Sequence, residues 1–184
     1  MNWMKKVAVA LVCLLPLGLQ AAKVDTLQVK SPSMNKSIEV VVVSPDMAAT
    51  EACPVIYLLH GYGGNARTWV GIKPDLPKIA DEKGVFFVCP DGKNTWYWDS
   101  PLNADVRYET FISDELVKYV DSHYKTVADR KGRAITGLSM GGHGAMWNGL
   151  HHSDVFSAAG STSGGVDIRP FPKNWEMSVQ IGEK

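Results

Sequence analysis

The stretch Arg133 to Gly144, RAITGLSMGGHG, limits the choice of fold more than any other part of the chain. It reads as a short apolar strand, a sharp turn and a helix start. At the turn lies Gly137-Leu138-Ser139-Met140-Gly141, a G-x-S-x-G pentapeptide. Strand, tight turn and helix together form the setting of a nucleophile elbow, in which a strained serine projects its hydroxyl. The helix behind it offers unpaired N–H groups and the positive end of a dipole. Gly142, Gly144 and Ala145 are small, as a helix passing close to a strand requires. A bare Gly/Ser loop is the plain alternative, so the rest of the chain is judged by what it supplies to Ser139.

A serine nucleophile of this kind needs preorganised donors for an oxyanion. Pro54 to Leu59 is a continuous apolar run, the mark of a strand covered on both faces. It leads directly into His60-Gly61-Tyr62-Gly63-Gly64. In the elbow architecture one donor is the N–H after the serine, here Met140. The other comes from the loop after an early strand, which makes the Tyr62 N–H the second donor, with Gly61 as the fallback. The His60 ring is expected to brace this loop rather than to act as general base.

The other elements fit around these two motifs. Val24 to Val29 and Ser37 to Val43 read as two strands, separated by Ser31-Pro32-Ser33 and forming an antiparallel hairpin at a sheet edge. Thr68-Trp69 and Leu76 to Ala80 precede a Lys83-Gly84 stop and read as helix. Val85 to Cys89 is another buried strand. Tyr108 to His123 is expected to be one helix, with Ile112, Leu116, Tyr119 and Val120 inward and Asp114, Glu115, Lys118 and Asp121 outward. Val155 to Gly160 reads as the last strand. The fold class is therefore α/β, a mostly parallel sheet with helices on both faces. The loop Lys93 to Pro101 follows a strand's carboxyl end, where open α/β sheets bind ligands. Its Trp96, Tyr97 and Trp98 either stack on a sugar or phenolic ring or pack the loop down.

The first 22 residues stand apart from this domain. Lys5 and Lys6, the apolar run Val7 to Leu19 and the small residues Ala21 and Ala22 read as a secretory signal peptide. Val12 before Cys13 is too large for a lipoprotein signal. The expected organisation is a leader over 1–22 and one domain over 23–184, periplasmic or secreted, with no stable membrane insertion after cleavage. Removing 1–22 takes 2 of the 19 basic residues and none of the 19 acidic ones, so nothing suggests a nucleic-acid partner. Cys53 precedes one strand and Cys89 ends the next. If these strands are parallel neighbours the cysteines lie roughly 16 Å apart, beyond disulfide reach, and two buried free thiols are expected. The histidines lack metal-ligand spacing, and serine chemistry needs no metal or cofactor.

LLHGYGGNARTW, VCPDGKNTWYWDS, YETFISDELVKYVD and GLSMGGHGA resemble the putative esterase family of α/β-hydrolases, which includes feruloyl and acetyl esterases, S-formylglutathione hydrolase and mycolyl transferases. The resemblance runs through most of residues 24–165. It implies the α/β-hydrolase fold, Ser139 as nucleophile, and oxyanion amides at Tyr62 and Met140. Export and the aromatic loop point to acyl or feruloyl esters of plant polysaccharide, so the implied partner is a small-molecule or glycan ester.

The chain departs from the family in one respect. In this fold the triad acid and base follow the serine, yet only 45 residues follow Ser139. His151 and His152 are roughly 18 Å along the helix axis. His143 is one turn away, while Asp154 and Asp167 have no imidazole to orient. Ile168 to Lys184 reads as irregular, without a closing helix. The expectation is an N-terminal portion of a longer esterase, with its triad aspartate and histidine beyond Lys184 and weak activity by itself. An acyltransferase on the same scaffold and an inactive carbohydrate-binding remnant are the alternatives.

Overall fold

A computed structural model describes residues 22–171 and 173–182. Apart from Ala22, the leader expected over 1–22 lies outside the described residues. The sheet begins with a hairpin, β1 (Lys23–Ser31) and β2 (Lys36–Ser44), whose antiparallel register pairs Val24 with Val43. β3 (Val55–Leu59) and β4 (Phe86–Pro90) are parallel neighbours, and β2 pairs antiparallel with β4. β5 (Arg133–Leu138) lies beside β3, and β6 (Ala158–Thr162) beside β5, both parallel. The order is β1-β2-β4-β3-β5-β6.

Successive strand residues face opposite sides, so the valine-rich runs build two cores. Val40, Val42, Tyr57, Leu59, Val88 and Ile135 face α3 (Tyr108–Thr110), α4 (Leu116–His123) and α5 (Met140–His151). Val41, Val43, Leu58, Phe87 and Cys89 face α1 (Thr68–Ile72) and α2 (Leu76–Lys83). Helices thus cover both faces, as the sequence predicts. Gly84 ends α2 in the left-handed conformation at φ 61°, its N–H bonded to the Ala80 and Asp81 carbonyls. Cys53 and Cys89 are buried free thiols at opposite ends of the parallel pair β3 and β4, and burial pushes the Cys89 thiol up.

Four expectations need correction. The Tyr108 to His123 segment is not one regular helix, because Phe111–Glu115 forms a π-helical turn between α3 and α4. Glu115 does not face solvent alone: it accepts from the Ser31 hydroxyl at 2.5 Å and from the Ser33 N–H at 2.7 Å, tying the helix to the hairpin turn. The last strand starts at Ala158 rather than Val155. The Val155 and Phe156 N–H groups bond back to the His152 carbonyl, and the Phe156 ring packs edge-on against Tyr57. The strand itself, AAGST, is largely exposed. Finally, the segment expected to be irregular contains α6 (Met177–Ile181), anchored by buried Met177.

Candidate active site

β5 delivers the chain into Ser139 at φ 55° and ψ −118°. A positive φ at a non-glycine residue costs about 1–3 kcal/mol and persists only where its surroundings enforce it. They do so here. A Cβ on Gly141 would lie 2.2 Å from the Leu59 carbonyl oxygen, and one on Gly137 would lie 2.3 Å from the Gly141 backbone. The Ser139 N–H donates to the Thr162 carbonyl of β6 at 2.8 Å, and its own carbonyl accepts from the His143 N–H at 3.0 Å. The strand–turn–helix setting inferred for the pentapeptide is present, with the side chain exposed.

The His60–Gly64 loop runs against this elbow, since a Cβ on Gly61 would stand 3.5 Å from the Ser139 Cβ. His60 is 1% exposed. The Gly92 N–H can only donate, and it donates to His60 Nε2 at 2.9 Å. Nε2 therefore carries no proton, and Nδ1–H donates to the Gly61 carbonyl at 2.7 Å. The ring joins the loops after β3 and β4, which is the bracing role expected of it. Gly63 N–H donates to Asn94 Oδ1 at 2.8 Å, and the Tyr97 hydroxyl donates to the His60 carbonyl at 3.0 Å. Between these fixed points the Tyr62 N–H has no acceptor among the described residues, and neither has the Met140 N–H at the start of α5. Both residues border the cavity beside Ser139.

That cavity is about 190 Å³ and is lined by Tyr62, Trp96, Met140, Asp167, Phe171 and Trp175 among others. The aromatic loop reaches it through Trp96 alone. Trp96, Tyr97 and Trp98 are all buried, which fits the alternative in which they pack the loop down. Tyr97 fills the space left by Gly144, where a Cβ would come within 2.5 Å of its ring. Trp98 stacks on Trp96 and meets His143 edge-on. Trp96 Nε1–H donates to the Trp175 carbonyl at 3.0 Å, and Ser100 Oγ–H to the Gln180 carbonyl at 2.5 Å. The segment after β6 thus folds back on the aromatic loop and brings Phe171 and Trp175 to the cavity. Sequence reasoning missed these two residues and Asn94. Their signals were the close pairing of two aromatics and an Asn in the turn PDGKN.

No imidazole bonds to Ser139 Oγ among the described residues. His143 donates Nδ1–H to the Gly165 carbonyl at 2.6 Å, and its Nε2 is buried without a partner among three tryptophan rings. Burial lowers its pKa, outweighing the bond to Gly165, so the ring is held neutral. His152 bonds to Glu109 at 2.9 Å, and His151 lies 3.6 Å from the same carboxylate. Asp167 borders the cavity but is held by Arg169 in a two-pronged pair at 2.7 and 2.8 Å. These bonds bring its pKa down to about 2.

Comparison with known proteins identifies a family and a fold. The family described as "Putative esterase" matches residues 31–181. An esterase of Mycobacterium tuberculosis is 29% identical over 149 residues, covering 77% of this chain and 32% of that protein. The diacylglycerol acyltransferase/mycolyltransferase Ag85A of Mycobacterium leprae is 32% identical, covering 78% of this chain and 44% of its own. Among solved structures, a ferulic acid esterase superposes with a TM-score of 0.71 at 30% identity, covering 86% of this chain and 66% of that one. The chain spans about a third to a half of the length of these curated relatives.

Proposed function

This chain belongs to the "Putative esterase" family and has the α/β-hydrolase fold, and from that premise we propose that it forms the nucleophile-bearing part of an exported carboxylic-ester hydrolase. The observation that carries the reading is the strained Ser139 elbow, opening into a cavity bordered by two backbone N–H groups without acceptors. Ser139 Oγ attacks the ester carbonyl. The Tyr62 and Met140 N–H groups hold the resulting oxyanion, collapse expels the alcohol, and water releases the acid from the acyl-enzyme. The aromatic lining from Trp96, Phe171 and Trp175 supports acyl or feruloyl esters of plant polysaccharide as substrates.

Among the described residues no imidazole is placed to take the proton of the hydroxyl. The 184-residue chain is expected to hydrolyse p-nitrophenyl acetate at no more than about 10³-fold over water. Turnover at ordinary esterase rates would refute the claim about the base, whereas fluorophosphonate labelling that survives Ser139→Ala would refute the nucleophile. The similarity to a mycolyltransferase favours one alternative, transfer of the acyl group to a sugar hydroxyl. Product analysis with a glycan acceptor separates the two.

A further inference from the structure

Asp81 lies in the last turn of α2, where the helix dipole disfavours a carboxylate. Both of its oxygens are nevertheless engaged by backbone nitrogens from distant segments. Oδ1 accepts from the Asp46 N–H at 2.8 Å and Oδ2 from Ala22 N at 2.8 Å. Ala22 packs at the edge of the core formed by Leu76, Ala80 and Phe87, immediately before β1 begins at Lys23. The residue ahead of it is Ala21, a small residue that a leader peptidase accepts before its cut.

We propose that the leader is removed between Ala21 and Ala22, and that Asp81 is the receptor for the new chain terminus. Hydrolysis breaks the Ala21–Ala22 amide. The oxygen of water goes to the Ala21 carbonyl, which leaves as a carboxylate, and both of its protons go to the Ala22 nitrogen, which becomes an ammonium. An amide N–H donor to Asp81 is thereby replaced by a cation, and the hydrogen bond becomes charge-assisted. The same ammonium offsets the carboxylate's unfavourable place at the carboxyl end of α2. The cut falls one residue earlier than the small-residue pair alone suggests. It fixes the first residue of the domain at the position where the sheet begins. The proposal is independent of the ester chemistry.

The test starts from the 184-residue chain expressed in a bacterium and recovered from the exported fraction. N-terminal sequencing and intact mass are expected to give Ala22-Lys23-Val24. A chain beginning at Lys23, one retaining Ala21, or an uncut chain overturns the proposal. The second measurement is the rate of acetylation of the α-amine by an activated ester at pH 7. In Asp81→Asn this rate is expected to rise about threefold to tenfold, as an unpaired amine is released. Equal rates in the two proteins overturn the ion pair. If Asp81→Asn does not fold, the wild-type rate is followed from 0.05 to 1 M NaCl. Screening is expected to raise it, and a rate unaffected by salt overturns the pair as well.

Discussion

The two walls of the cavity are built differently. The wall formed by the elbow and the His60–Gly64 loop is fixed atom by atom. Gly137 and Gly141 have no room for a Cβ, His60 is bonded at both ring nitrogens, and Gly63 is held by Asn94. The opposite wall of Trp96, Phe171 and Trp175 consists of aromatic surfaces, two of them substantially exposed and tied to the domain by a few backbone bonds. Under the proposed function the first wall would place reacting atoms, where small displacements are costly, and the second would offer area to a substrate group, where stacking tolerates variation.

Four substitutions test this contrast. The largest effect is expected for Gly141→Ala, whose methyl group would press into the Leu59 carbonyl. A loss above about 4 kcal/mol in urea denaturation is expected. Gly71→Ala is the control. Its Cβ meets nothing within 4 Å in α1, so it stabilises by about 0.5–1 kcal/mol. A small loss at Gly141 would mean that the elbow is not sterically locked. Next comes Asn94→Ala, which frees Gly63 and lets the Tyr62 N–H drift. Residual turnover of p-nitrophenyl acetate should fall about tenfold with KM unchanged, a fraction of the 10²–10³ lost when an oxyanion donor is removed outright. A change in KM alone would assign Asn94 to substrate binding instead. On the aromatic wall, Trp175→Ala should weaken ferulate binding, read by tryptophan quenching, by about fivefold, equivalent to ~1 kcal/mol of stacking. Acetate ester turnover should barely change.

The smallest effect concerns His143. Burial depresses its pKa in the folded protein, so the unfolded chain takes up a proton that the folded one refuses. Stability therefore declines as pH falls through the unfolded value near 6.5 and stops declining below the folded value. His143→Gln should flatten the dependence of Tm on pH in that window. An unchanged slope would show that His143 is not held neutral.

The same contrast explains what could be read from the sequence. The elbow and the oxyanion loop are contiguous stretches in which the chemistry dictates residue types, so RAITGLSMGGHG and HGYGG announce themselves. The hairpin and buried strands follow from valine runs and turn residues. The aromatic wall arises from pairings such as Trp96 with Trp175, 79 residues apart, which no local pattern encodes. Trp96, Tyr97 and Trp98 illustrate the limit, because a loop rich in aromatics gives no sign of which ring faces inward. The start of β6 was misplaced for a similar reason, since Phe156 is apolar for the sake of Tyr57 and not of a strand ladder. Glu115 looked like a solvent-facing helix residue until the hairpin turn was seen to need its carboxylate.

The bond from the Ser139 N–H to the Thr162 carbonyl has one more consequence. The amide that fixes the elbow is held by a strand that follows it in sequence, beyond the whole of α5. A chain still emerging from the ribosome, or passing unfolded through any translocation channel, carries at position 139 an ordinary serine with an ordinary backbone. Closing the loop between β5 and β6 sets the strained backbone at Ser139, so the elbow is a late product of folding. A protein built this way has no elbow until its sheet is assembled.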